Sequence, residues 1–595
     1  MQFFLLMIVF LSTAAVGGTD PIQPLITDPL SPSASWDYLR DVQGRAWLAY
    51  YDQSRRLRLR KPDGSTVGVG GDDRNNAPSG LALTAVRDDD RVAVLWRDKL
   101  PSKGLFLWTS DSPTDVVENL DQGSAPLARI LAASNADHIH ALWYGEKPDP
   151  DTGVTYHLYY RNQALDSGEL SAMEQVMPGI YPTWALDPDG TIMIASWTVG
   201  EDPSSIAVRF RDPETGDFGP RRIVAEDVQI TPLIRAFRSG DRWFVLWHTQ
   251  HKDDRAQPFS LHLAYTDDEG KTWEREDIAA LRGYDVVSAD IATDDDGRIF
   301  VAVDALDRAA NSRGAKMGIW LIRSLDRGST WSVENMRPGE TMSVFHGRNP
   351  SVTLGPGKDQ ALVIWEDWQT IRPRLFGSLS DDNGKSWTVV NQLLPNQPDG
   401  NLSLRFSVGS LDLADGRYQV IAEQYSDTFG EKYLVQFDFS AADFIAAAKS
   451  EQPMASATSQ QSESTVDTAD DARLDALRER VAAFWKAMEE GDFSTAYQFY
   501  DPFFRALNSE QRFTALTGKI TYADYETIDI TLTGSLAQAN GTVRSNVIPF
   551  RAPTTGELIE QEERWVPILD TWLWIDGQWY REFYSEGMDL KYTRY

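Results

Sequence analysis

Thr266-Asp267-Asp268-Glu269-Gly270-Lys271-Thr272-Trp273 is the stretch on which the reading of this chain turns. The same order of hydroxyl, Asp, Gly, hydroxyl and Trp returns at Ser324-Leu325-Asp326-Arg327-Gly328-Ser329-Thr330-Trp331 and at Ser380-Asp381-Asp382-Asn383-Gly384-Lys385-Ser386-Trp387. In each copy a carboxylate (Asp268, Asp326, Asp382) can accept hydrogen bonds from the amides of its own turn. A glycine (Gly270, Gly328, Gly384) can take positive φ, and a tryptophan (Trp273, Trp331, Trp387) can bury an aromatic face. These nine residues are assigned a structural role, because the motif holds a hairpin and has nothing to react with. The three Asp residues are spaced 58 and 56 positions apart. Such spacing fits propeller blades of about 40–50 residues with loop insertions.

A weaker repeat extends outward from the three turns. Short apolar runs bounded by turns, such as Val92-Ala93-Val94-Leu95-Trp96 and Ala361-Leu362-Val363-Ile364-Trp365, have the form of buried strands. Aligning all such runs gives a column of Tyr51, Trp96, Trp143, Trp197, Trp247, Asp304, Trp365 and Glu423. A proline precedes several members at a similar offset (Pro78, Pro126, Pro182, Pro232, Pro350), where a strand's first residue tolerates a missing N–H. Residues 19–446 are therefore expected to form an all-β propeller of eight blades, or of seven if the first and last units share one.

The flanks differ. Residues 1–18 hold an apolar run ending in small residues, the form of a signal peptide, so the protein is expected to be secreted or periplasmic, with no transmembrane span in the mature chain. Residues 447–470, rich in Ser, Gln, Thr, Ala and Glu, are expected to be a disordered linker. Beyond it, Leu477, Val481, Phe484, Trp485 and Met488 follow helical spacing, and Asp576-Gly577 between alternating aromatics signals a hairpin. Residues 471–595 are thus expected to be a small α+β domain.

Composition narrows the function. There is no Cys, hence no disulfide, thiolate metal site or cysteine nucleophile. A net charge of -31 argues against nucleic acid as a partner. No metal ladder, phosphate loop or dinucleotide fingerprint is present, and no cofactor is expected.

The three turns resemble the Asp boxes (BNR repeats) of sialidase-like propellers. That resemblance implies a cavity at the propeller axis, opposite the Asp-box side, where three Arg of true sialidases grip a carboxylate while Tyr, Glu and Asp hydrolyse the glycoside. The Arg-x-Pro that opens the first blade of sialidases has its counterpart here in Arg348-Asn349-Pro350, near the seventh unit. Phe484-Trp485, Gly491-Asp492, Asp501-Pro502-Phe503-Phe504-Arg505 and Trp574-Ile575-Asp576-Gly577-Gln578-Trp579-Tyr580 resemble the NTF2-like family, which includes both enzymes and passive dimerisation or binding modules.

Candidate site residues follow from position. Asp304 and Glu423 replace the column tryptophan with a carboxylate, an exchange that costs stability unless the place is wet or functional. Glu366-Asp367-Trp368 sets two carboxylates beside an aromatic plate. Asp304, Glu366 and Asp367 are the catalytic candidates; Arg235, Arg348, His248, Trp368 and Glu423 are the substrate-binding candidates. Two functions stay open: an exported propeller that binds or hydrolyses glycans, a sialidase-like glycoside hydrolase if an enzyme, and a scaffold that binds a protein, with the C-terminal domain making a homodimer or taking a small ligand. Trp485, Tyr497, Tyr500, Trp565 and Trp579 would line such a ligand pocket or form that domain's core.

Overall fold

A computed structural model describes residues 25–582 except 27–28, 31–34, 42, 71–77, 87–90, 99–103, 150–152, 199–202, 230–232, 252–258, 308–316, 338–346, 356, 358, 370–372, 405–410, 415, 426–430, 458–465, 518–519, 548, 552–557 and 560–561. The expected signal peptide lies outside the described residues. Among those described, no helix is long and apolar enough to cross a membrane.

The apolar runs of the repeat become the second strand of each unit. Ile192–Thr198 and Ala361–Asp367 are buried at every position, since neighbouring sheets cover both of their faces. From Trp36 to Phe439 the described chain makes eight successive four-stranded antiparallel sheets, an all-β, propeller-like architecture. In the first seven, each strand pairs with the next in sequence. In the eighth, Asn401–Ser403 and Leu411–Ala414 share one edge of Arg417–Tyr425, and Lys432–Phe439 takes the other.

The first and last units are separate sheets, joined by the chain's beginning. Leu25 N–H donates to the Leu434 carbonyl (2.9 Å), and Leu30 N–H to that of Lys432 (2.7 Å). Leu30 also bridges Asp52 of the first sheet. Trp36, Trp47 and Tyr51 of the first sheet share a core with Ile421 and Leu434 of the eighth.

The three repeated turns, each between the third and fourth strands of its sheet, have one hydrogen-bond set. In the first, Thr272 N–H and Thr272 Oγ1 donate to the two Asp268 oxygens (2.9 and 2.8 Å), and Gly270 N–H donates to Thr266 Oγ1 (2.8 Å). The residue before each glycine and the glycine itself both take positive φ, as at Glu269 (+56°) and Gly270 (+80°). The glycines answer a second demand: a Cβ on Gly328 would stand 2.8 Å from the Phe244 ring of the preceding sheet. The closing tryptophans also lean on the preceding sheet, Trp273 against the core of the fourth and fifth sheets and Trp387 through Nε1 donating to Glu334 (2.9 Å).

Helix Ala441–Ala457 follows the eighth sheet, capped reciprocally by Ser440 and Asp443. It runs into the stretch 447–470 expected to be a disordered linker, whose described residues, 447–457 and 466–470, are helical. Its alanine-rich composition lowers the entropic cost of a helix as readily as it denies a core. Helix Val466–Glu490 begins the C-terminal unit, followed by short helices capped by Asp492, Asp501 and Ser509. A sheet of Ile520–Thr533, Leu536–Val547, Arg564–Ile575 and Gln578–Arg581 completes it. Asp576 and Gly577, both at positive φ, form the two-residue turn between Ile575 and Gln578. Trp485, Tyr497, Tyr500 and Trp579 are buried in one core, whereas Trp565 is 49% exposed.

Candidate functional site at the propeller centre

The first strands of successive sheets are tied to one another side by side. Asp37 Oδ2 accepts from Leu83 N–H (2.7 Å), Thr183 Oγ1 from Ala236 N–H (3.0 Å), and Asp290 Oδ2 from Val352 N–H (2.9 Å). In each case donor and acceptor stand opposite the residue two before the column member of their own sheet. The first strands therefore line a common centre at matched register.

Three of these strands start with the same device. Ala125, Tyr181 and Asn349, each directly before a proline, take positive φ (+45°, +55° and +49°). Pairing slips by two residues at Trp143/Gly145 and by one at Ile180/Thr183 and Arg348/Ser351. A left-handed non-glycine residue at a bulge is strained and re-aims the side chains around it. Pro126, Pro182 and Pro350 of the repeated prolines mark these bulges, and Pro232 lies outside the described residues.

The side chains so placed form one connected group. Arg129 of the third sheet lies beside Tyr144 and Tyr181, whose rings are 6.5 Å apart. Burial, and then the nearby Arg129 guanidinium, lower the basicity of Arg235 on the fifth sheet, while Asp290 of the sixth raises it. Asp290 is pushed up by burial against hydrogen bonds from Ser351 Oγ (2.7 Å) and Val352 N–H. Burial also raises Tyr144, which stays a neutral hydrogen-bond donor. Arg129, Tyr144, Tyr181, Arg235 and Arg348 are only half-buried despite their central position. A guanidinium group offers parallel N–H donors of the kind a carboxylate accepts, and Arg129 and Arg235 bring two of them to the first strands of the third and fifth sheets.

The residues singled out in the sequence divide sharply. Arg235 and Arg348 stand on first strands, Arg348 beside Asp304. The carboxylates do not offer themselves for chemistry. Asp304 is buried, Oδ1 accepting from Ser288 N–H (2.7 Å) and Oδ2 from Asn349 N–H (2.9 Å), so it splices the bulges of the sixth and seventh sheets. Burial raises its pKa despite these bonds. Asp367 pairs with the wholly buried Arg337 (2.6 Å) and accepts from Trp365 Nε1 (2.8 Å).

Glu366 accepts from Trp368 Nε1 (2.9 Å), Ser403 Oγ (2.6 Å) and Asn349 Nδ2 (3.4 Å). Glu423 accepts from Trp36 Nε1 (2.7 Å) of the first sheet, Lys432 and the Tyr425 hydroxyl. These four carboxylates, expected as catalytic or binding groups, each have both oxygens engaged inside the protein. His248 and Trp368 are likewise covered, 1% and 2% exposed, His248 stacked on Phe259 and facing Asp285 at 3.9 Å. A buried plate cannot receive a sugar.

Arg129, Tyr144, Tyr181 and Asp290 escaped sequence reasoning. Tyr181 carried a signal, since it immediately precedes a repeat proline. Arg129 stands three residues after another, and Asp290 shares its register with Asp37 and Thr183.

No family model and no curated protein sequence matches the chain. Solved structures similar in architecture include the polysaccharide lyase Uly1, with a TM-score of 0.40 and 10% identity over 62% of this chain and 92% of that one. The leech intramolecular trans-sialidase scores 0.32 at 10% identity, over 70% and 94%. The NanB sialidase of Streptococcus pneumoniae scores 0.30 at 10% identity, over 71% and 100%. Identities and scores this low leave the chemistry of the centre to its own residues.

Proposed function

We propose that this protein binds an acidic glycan at the centre of an eight-bladed Asp-box propeller, the glycan's carboxylate held by Arg129 and Arg235. The observation that carries the reading is the placing of two arginines on the first strands of the third and fifth sheets, Arg129 near enough to lower the basicity of Arg235, with Asp290 as the carboxylate beside Arg235. Like charges brought together at a desolvated centre are relieved by a bound anion, and a guanidinium fork receives a carboxylate with two parallel hydrogen bonds. Hydrolysis by paired carboxylates needs one free acid and one free base. Because Asp304, Glu366, Asp367 and Glu423 are all engaged internally, the reading is recognition without glycoside cleavage. An array of acidic and neutral glycans, probed with the exported chain, tests it. Binding confined to carboxylated glycans and lost in Arg235→Ala supports it; binding that ignores the carboxylate sinks it. Release of fluorophore from glycosides would overturn the non-hydrolytic part.

One observation favours a second, compatible role. Ile528 and Trp565 are 67% and 49% exposed on the sheet of the C-terminal unit. An NTF2-like module presenting such a face would dimerise the chain. Light scattering of the full chain tests this: Trp565→Glu should halve the mass of a dimer, and a wild-type monomer would remove the idea.

A further inference from the structure

The fourth sheet has two ends. Tyr181 lies at the end that faces the central cluster. The other end is where Leu186, Ile192, Arg211 and Arg222 stand, because the strands Ile180–Leu186, Ile192–Thr198, Ser205–Arg211 and Arg222–Glu226 alternate in direction. There a cavity of about 310 Å³ opens between the turns of this sheet and Glu269, which belongs to the first repeated turn. It is remote in register from the axial arginines, and nothing in the axial reading bears on it.

Arg211 and Arg222 both line the cavity. Arg211 is 9% exposed, its guanidinium 5.3 Å from the centre of the Tyr160 ring. Its Nε is buried with no acceptor among the described residues. Glu174 is near enough for the two charges to be felt, yet no ion pair joins them. Behind Arg211, Tyr160 OH and His140 Nδ1 are 2.6 Å apart, and burial keeps that histidine neutral, its pKa down to about 3. That layer therefore supplies no counter-charge. A buried guanidinium Nε–H without an acceptor is unfavourable until one meets it.

Glycines keep the space clear. A Cβ on Gly216, which takes φ +78°, would lie 3.0 Å from Arg211 Nη2, and one on Gly270 would lie 3.2 Å from both Arg222 Cδ and the Phe210 ring. Pro213, Pro220 and Phe210 give the walls apolar surface, and the exposed carboxylates Asp212, Glu214 and Glu269 stand at the rim.

We infer that this cavity is a second ligand site and takes one sugar-acid unit, its carboxylate on Arg211 and Arg222 and its hydroxyls donating to Asp212, Glu214 and Glu269. A single anion meets the two cations, several neutral donors meet the several acceptors, and a ring's C–H face meets the prolines. The rim carboxylates are in water and screened, so they accept hydroxyls without expelling the anion.

Calorimetric titration of the full chain with D-glucuronate tests the site, with D-glucose as uncharged control and sodium sulfate as bare anion. Glucuronate should bind and glucose should not. Arg222→Ala, at a half-buried position, should weaken this binding by about tenfold or more, the scale of a lost charge-assisted pair. Arg235→Ala should remove at most an axial component of the titration and spare the component that Arg222→Ala removes, which separates this site from the axial one. Melting curves of both variants confirm that they are folded. The assignment is overturned if glucuronate does not bind, if sulfate binds equally well, or if binding survives Arg222→Ala but is abolished by Arg235→Ala.

Discussion

Sheets two to five and seven carry tryptophan at the column position of the second strand, and sheets six and eight carry Asp304 and Glu423. Both kinds of residue are buried, and they stabilise by different means. A column tryptophan fills volume and takes at most one acceptor for its Nε1, as Trp143 finds in Ser124 Oγ (2.8 Å) and Trp197 in the Val228 carbonyl (3.0 Å). A column carboxylate instead collects donors from a neighbouring sheet: Asp304 takes Asn349 N–H from the seventh, Glu423 takes Trp36 Nε1 from the first. The tryptophans pack the sheets, and the carboxylates splice them where bulges or ring closure leave buried donors without strand partners. A polar residue in an apolar column is thus first a question about backbone donors and only then about catalysis.

The largest test lies in the splice next to the column. Asp367→Ala would strand the buried Arg337 guanidinium, and urea unfolding should show a loss of about 3–5 kcal/mol. A loss near that of a surface pair, below about 1 kcal/mol, would mean that Arg337 finds other acceptors. Asp304→Asn keeps the size but leaves one of two backbone donors without a carboxylate oxygen. It should cost about 1–3 kcal/mol, and Asp304→Trp, which restores the column's consensus, should be no better. If the tryptophan variant were the more stable, column position would outweigh the splice.

A smaller effect is expected where the partner is a half-exposed tryptophan. Trp387→Phe removes only the Nε1 bond to Glu334 and should lower stability by about 0.5–1 kcal/mol, read from thermal melts.

The subtlest contrast is in pH. The turn carboxylates Asp268 and Asp382 are held down at about 2, Asp268 first by the Thr272 N–H and Asp382 first by the Ser386 hydroxyl. Their stabilisation is complete above the unfolded value of about 4 and is lost as pH falls toward 2, so Asn at either place should flatten the acid limb of a stability profile. Asp304 and Asp367 are shifted up by burial, so the folded state holds their protons longer than the unfolded chain does. Their contribution declines as pH rises from about 4 through the folded value, and Asp304→Asn should remove that decline. Parallel slopes for the two sets of variants would erase the distinction between turn and splice.

The repeat, its period and the strand column were legible because each is local. A turn that bonds to itself and a strand buried on both faces write their demands into consecutive residues, as in Thr266–Trp273 and Val92–Asp98. The hairpin at Asp576-Gly577 was legible for the same reason. The helix entering the expected linker was less so, because a sequence poor in large apolar groups is equally compatible with coil and with an exposed helix.

The candidate centre shows where local reading ends. Arg235 and Arg348 could be named from their places at the start of first strands, but Arg129 and Asp290 gain meaning only beside Arg235, from sheets two before and one after it. Asp304, Glu366, Asp367 and Glu423 look alike in sequence to catalytic acids, since a carboxylate's residue type does not record who donates to it. By itself the sequence determined the repeating unit and where its turns fall, because those hydrogen bonds close within a few residues. Which carboxylates are consumed by the fold and which arginines face the centre was decided by tertiary structure, where donors on one sheet meet acceptors on the next across more than forty residues of chain.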